Sequence, residues 1–103
     1  MKTIVINLKK REDRLASFKT CHPDLNFEVF NAVDGGQIHY GGLLSQGFDV
    51  CHDWIDPLLH TRLTKGEVGC FLSHWSIWKK CIERNEKVLA LEDDARLTDK
   101  FDL

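Results

Sequence analysis

Val88-Leu89-Ala90-Leu91-Glu92-Asp93-Asp94-Ala95 is a short apolar strand that runs directly into three consecutive carboxylates. Its continuous apolar half has the character of a buried strand in a parallel sheet. Three adjacent acids at a strand end repel one another, and unpaired buried charge is costly. Solvent, basic neighbours or a divalent cation that prefers hard oxygen ligands must relieve that repulsion. Alone, the segment reads either as a solvated strand-to-loop turn or as a metal and phosphate site.

The preceding segment frames this strand. Thr64-Lys65-Gly66-Glu67 is a capping box, with Thr64 at N-cap and Glu67 at N3. Val68, Phe71, Leu72, Trp75, Trp78 and Ile82 then recur at helical spacing, which predicts a helix over about Lys65 to Arg84 with one broad apolar face and Asn85 as its C-cap. The tryptophans on that face read as core packing rather than a sugar-stacking platform.

Nearer the N-terminus, Thr3 to Leu8 is a β-branched, apolar strand. Leu15 and Phe18 mark a short helix closed by Pro23-Asp24. Asn26 to Val33 alternates as a second strand and ends at Asp34-Gly35-Gly36. Together these make a βαβ unit. Gly36 to Leu63 reads as a long loop with one helical turn, anchored by Trp54, Ile55, Leu58 and Leu59.

With 103 residues, 43% apolar and 29% charged, the chain is expected to form one small domain over 1–103 rather than a disordered segment. The 14 basic and 16 acidic residues give −2, which offers no general attraction to nucleic acid or anionic membrane. No apolar run is long enough to span a bilayer, and Thr3 to Leu8 is too short for a secretory signal, so the cytoplasm is the expected compartment. Cys21, Cys51, Cys70 and Cys81 form no CxxC pair. Cys70 with His74 four residues on is suggestive of zinc, but structural zinc sites show two close ligand pairs, and reduced, partly buried thiols are the expected state.

Strands joined by helical or long crossovers lie parallel, with their carboxyl ends on one edge, where open α/β sheets bind ligands. Three polar clusters should meet there: Asn7 with Lys9 to Arg14, Asp34-Gly35, and Glu92-Asp93-Asp94. Arginines beside carboxylates suit a phosphate bridged by a divalent metal, and Gly35 allows close backbone approach to a ligand. Each cluster also has a plain structural reading. Arg11 and Arg14 suit a solvated helix face paired with Glu12 and Asp13, Asp34-Gly35 is a common turn, Glu67 a capping partner, and His74 a hydrogen-bonded structural histidine. No GxGxxG, P-loop or nucleophile elbow is present.

Four blocks in order resemble glycosyltransferase family 25, which includes lipooligosaccharide-type galactosyltransferases and relatives of collagen galactosyltransferases. They are Ile4-Val5-Ile6-Asn7-Leu8 with Arg11, Asp13 and Arg14; Phe30-Asn31-Ala32-Val33-Asp34-Gly35; Leu63-Thr64-Lys65-Gly66-Glu67-Val68-Gly69-Cys70 with Ser73-His74; and Leu91-Glu92-Asp93-Asp94-Ala95. The resemblance implies an α/β, Rossmann-like (GT-A-type), mostly parallel sheet flanked by helices. It also implies transfer of a hexose from a UDP-sugar donor to a glycan acceptor, with a divalent cation, often manganese. By that resemblance Asn7, Arg11 and Arg14 line the nucleotide pocket, Asp34 approaches the nucleoside, and Glu92-Asp93-Asp94 stands at the DxD-like motif. Asp94 is then the foremost metal ligand, with Glu92 beside it, and Glu92 or Asp93 is the carboxylate near the anomeric centre. Glu67, Ser73 and His74 belong to a family signature that either supports the site or contacts the donor sugar.

Family members continue well past the acidic motif, so the domain is expected to be incomplete at its C-terminus, with exposed sheet edges that favour a homo-oligomer. Two other readings share these motifs: a nucleotide-binding module without turnover, and an interaction module that keeps only the fold.

Overall fold

The computed structural model describes residues 1–101, so the last two positions of the expected 1–103 domain lie outside the described residues. The elements run β1 (Lys2–Asn7), α1 (Glu12–Cys21), β2 (Glu28–Asn31), a 3₁₀ turn (Gly35–Gln37), α2 (Tyr40–Ser45), α3 (Lys65–Arg84) and β3 (Val88–Glu92). The strands form one parallel sheet in the order β2-β1-β3, with Ile6 level with Phe30 on one side and Glu92 on the other. This is the expected α/β, Rossmann-like arrangement. β1 lies at the centre because it carries the densest run of buried residues: Thr3, Val5, Ile6 and Asn7.

α1 is secured through Phe18, which is wholly buried, with its ring in edge contact with Phe27 at 5.2 Å. His22 caps the helix where Pro23 prevents its continuation. Its Nε2 accepts from the Leu97 backbone N–H at 3.0 Å, so Nδ1 carries the proton and donates to the Phe18 carbonyl at 2.9 Å. One imidazole thereby joins the end of α1 to the segment after β3.

The capping box forms as expected. Thr64 Oγ1 accepts from Glu67 N at 3.1 Å, and Glu67 Oε1 accepts from Thr64 N at 3.0 Å. Asn85 closes α3 in the left-handed conformation, with φ 51°. The orientation of α3 differs from the sequence expectation. Its buried stripe is Val68, Gly69, Leu72, Ser73 and Ile77, while Phe71 (49% exposed), Trp78 (51%) and Ile82 (82%) face outward. The helix is turned toward its small residues because these permit close approach. A Cβ on Gly69 would stand 2.7 Å from the Val33 carbonyl oxygen, and one on Gly35 would stand 2.4 Å from the Lys65 carbonyl oxygen. Of the tryptophans on this helix, Trp75 packs edge-on against Phe48 at 4.9 Å, while Trp78 is not core.

The segment expected as a loop holds more structure than one turn. Besides the 3₁₀ turn and α2, it contains an isolated antiparallel bridge between Ile55 and Arg62. Ile38 and Leu43 bury against Val68 and Leu72, with Val33, Tyr40, Phe48 and Val50 packed around them. Isolated apolar residues separated by glycines carry no period, so this second cluster arises only from contact with α3. The thiols are free, as expected, but Cys21, Cys51 and Cys70 are exposed rather than partly buried; only Cys81 is intermediate. No helix among the described residues is long and apolar enough to cross a membrane.

Candidate functional site

In a sheet ordered β2-β1-β3 the chain leaves β1 toward one side and later returns to its other side. The carboxyl ends of β1 and β3 therefore flank a topological switch point, the position where open α/β sheets hold ligands. A hollow of about 230 Å³ lies there. Arg11 lines it from the β1–α1 connection, Arg14 from the first turn of α1 and Gly35 from beyond β2. Ser73 and Cys70 reach it from α3, and Glu92, Asp93 and Asp94 from the end of β3. Part of each polar cluster meets here: Arg11 and Arg14 from the first, Gly35 from the second and the whole acidic triplet.

Each acid of the triplet is relieved differently. Asp93 is 7% exposed; its Oδ2 accepts from Asn7 Nδ2 at 2.9 Å and its Oδ1 lies 2.6 Å from Arg14 Nη2. Asn7 is itself buried and also donates to the Arg11 carbonyl at 3.0 Å, so it lies beneath the hollow and fixes the β1–α1 connection against β3. Arg14 Nη2 also reaches Asp94 Oδ2 at 3.5 Å, leaving that carboxylate largely in solvent. Glu92 turns the other way, toward α3. Its Oε1 accepts from Cys70 Sγ at 2.9 Å and lies 3.8 Å from His74 Nε2.

The remaining sequence-predicted residues stand around this centre. Arg11 forks onto Asp13 with two contacts of 3.0 Å, which holds the Asp13 carboxyl down at about 2. Asp34 lies outside the lining of the hollow. Its Oδ1 caps the 3₁₀ turn by accepting from Gly36 N at 2.9 Å, its Oδ2 pairs with Lys10 Nζ at 3.1 Å, and these lower its pKa in that order of importance. The close approach at Gly35 is to the first turn of α3 rather than to open ligand space. Ser73 is wholly buried, accepting from Val33 N and donating to the Gly69 carbonyl, both at 2.9 Å. Glu67 is engaged in the capping box, away from the acidic triplet.

Cys70, which the sequence reading weighed for zinc and set aside as a reduced thiol, stands at this site. Its one signal was the four-residue spacing to His74, which puts both on one helical face. Hydrogen bonding to Glu92 raises the thiol from 9.0 to about 11, with burial and the nearby acidic charge adding to the effect. At pH 8 this lowers the thiolate fraction about a hundredfold, while the more basic thiolate is intrinsically more nucleophilic, for a net slowing of roughly tenfold. Iodoacetamide at pH 8 should therefore modify Cys70 about tenfold more slowly than the exposed Cys51, as peptide mass mapping would show. Glu92→Gln should remove most of the difference.

Comparison with known proteins places these observations in context. The family model described as glycosyltransferase family 25 (LPS biosynthesis protein) matches residues 1–103. Human procollagen galactosyltransferase 2 is 38% identical over 100 residues, covering 94% of this chain and 16% of the relative. Human inactive glycosyltransferase 25 family member 3 is 40% identical over 102 residues, covering 94% and 17%. Xenopus laevis procollagen galactosyltransferase 1-B is 41% identical over 95 residues, covering 89% and 16%. The chain thus spans only a small part of the length of the curated relatives it matches.

Proposed function

The chain belongs to glycosyltransferase family 25, and from that membership we propose that it forms the donor-binding part of a hexosyltransferase, taking a UDP-hexose with a divalent cation such as Mn²⁺. The observation that carries this reading is the meeting of Arg11, Arg14 and the Glu92-Asp93-Asp94 triplet around one hollow at the switch point of a parallel sheet.

The donor set suits such an ion. Both oxygens of Asp93 are engaged by Asn7 and Arg14, which leaves Glu92 and Asp94, about half and two thirds exposed, as the carboxylates free to hold it. Hard cations of this class take one or two carboxylates and complete their shell with water and substrate phosphate. When bound, the cation neutralises charge on the departing diphosphate. Arg14 adds a guanidinium already oriented by Asp93, and Arg11 adds a second at the rim. With Asp93 held in its internal network, Glu92 is the carboxylate better placed to face positive charge developing at the anomeric carbon. The acceptor in this reading is a glycan.

Calorimetric titration of UDP with and without Mn²⁺ tests the proposal. Manganese should tighten binding at least tenfold, about 1.4 kcal/mol, and Asp94→Asn should abolish that gain. Equal affinity with and without the ion, or an unchanged gain in Asp94→Asn, would overturn it. The 40% identity to an inactive family member favours a second reading, donor binding without turnover. Release of UDP from UDP-hexoses separates the two.

A further inference from the structure

We propose that Cys70, His74 and Glu92 form a second divalent-metal site, distinct in chemistry from the all-oxygen donor site and selective for a borderline ion such as Zn²⁺. Their ligand atoms (Sγ, an imidazole nitrogen and a carboxylate oxygen) all lie within 4.8 Å of one another. Cys70 and His74 are one helical turn apart on α3, and Glu92 closes the triangle from the end of β3. In a tetrahedral zinc centre, ligand atoms stand about 3.5 Å apart. The widest separation therefore has roughly 1 Å to close, and the half-exposed Glu92 side chain is free to adjust.

Two further observations favour an ion here over a simple hydrogen-bonded cluster. Asp93 and Asp94 both have Arg14, whereas the only ion-pair partner of Glu92 among the described residues is His74. A cation between thiolate, imidazole and carboxylate neutralises the one acid of the triplet that lacks a Lys or Arg. The donor set also discriminates. Mg²⁺ and Mn²⁺ favour oxygen ligands, whereas sulfur with imidazole nitrogen favours Zn²⁺ and Co²⁺. Three protein ligands, two of which (Cys70 and Glu92) line the hollow, leave a fourth position for water or a substrate oxygen, the pattern of zinc centres that act on ligands rather than only brace a fold. Glu92 belongs to both groups, so zinc at this site competes for a carboxylate with an ion held through Asp94.

The site is tested independently of donor binding by titrating the reduced chain with Co²⁺ under anaerobic conditions, then displacing it with Zn²⁺. The expected result is a thiolate-to-cobalt charge-transfer band with tetrahedral visible bands, saturating at one ion per chain and bleached by Zn²⁺. Cys70→Ser should lose the charge-transfer band, and His74→Ala should weaken Co²⁺ binding at least tenfold. Cys51→Ser, which removes an exposed thiol beside His52, should change nothing. Circular dichroism of each variant separates loss of a ligand from loss of the fold. Absence of the band in the unmodified chain overturns the proposal without recourse to any variant. So does a band that survives Cys70→Ser or disappears in a folded Cys51→Ser.

Discussion

Gly35→Ala should destabilise the chain by about 3 kcal/mol, at the upper end of what overpacking costs. The added Cβ would stand 2.4 Å from the Lys65 carbonyl oxygen, 2.6 Å from its carbon and 2.7 Å from the Gly66 nitrogen. All three atoms belong to backbone at the start of α3, so no side-chain rotation can make room. Relief requires the helix start to move away from the 3₁₀ turn, which would open the hollow between Gly35 and Cys70. For a domain of this size, 3 kcal/mol corresponds to a fall in melting temperature of roughly 12–24 °C. Gly69→Ala is the companion test, because alanine is preferred to glycine inside a helix by about 1 kcal/mol. Here the 2.7 Å approach to the Val33 carbonyl oxygen should outweigh that gain. Urea or thermal melts report both, and a stabilised Gly69→Ala would show that α3 does not depend on this contact.

The second large effect is expected at Asp93. Asp93→Ala would leave Asn7, buried beneath the hollow, with a donor hydrogen lacking its acceptor, and Arg14 without its 2.6 Å partner. Losing one member of a buried charged pair costs about 3–5 kcal/mol. Arg14 retains access to water, so a loss of about 2–3 kcal/mol is expected. A double-mutant cycle with Arg14→Ala should give a coupling energy of roughly 1–2 kcal/mol. A coupling below about 0.5 kcal/mol would class the contact with ordinary surface ion pairs and remove Asp93 as the anchor of the arginine.

These two predictions concern residues that the sequence displays plainly but with their tasks hidden. Asp93 is visible as the middle of an acidic triplet, where any member appears equally available to a ligand. Only the sheet register, which sets Ile6 beside Glu92 and so brings Asn7 near Asp93, decides that it turns inward. Gly35 is visible as a turn glycine, and its need for space is readable, but the neighbour that needs the space is α3, distant along the chain. The apolar pattern of α3 misleads for a related reason. Phe71, Trp78 and Ile82 are large, yet the buried stripe turns about Gly69, where the backbones come closest, and Ser73, whose hydroxyl accepts from the Val33 N–H, with Val68, Leu72 and Ile77 beside them. Hydropathy weights side-chain size, whereas docking geometry here rewards its absence.

What the sequence determined by itself is what depends on local chemistry and strand order. Thr64 and Glu67 satisfy each other across three residues, so the start of α3 is decided locally. Apolar runs joined by crossovers make a parallel sheet, and a parallel sheet puts Arg11, Arg14 and the acidic triplet on one edge. Tertiary structure alone decided how the three acids divide their partners: Asp93 to Asn7 and Arg14, Asp94 mainly to solvent, and Glu92 to Cys70 and His74. The physical reason is that electrostatic partners are chosen by distance in space. Residues adjacent in the chain, with identical charge, part company once the strand ends and their side chains diverge.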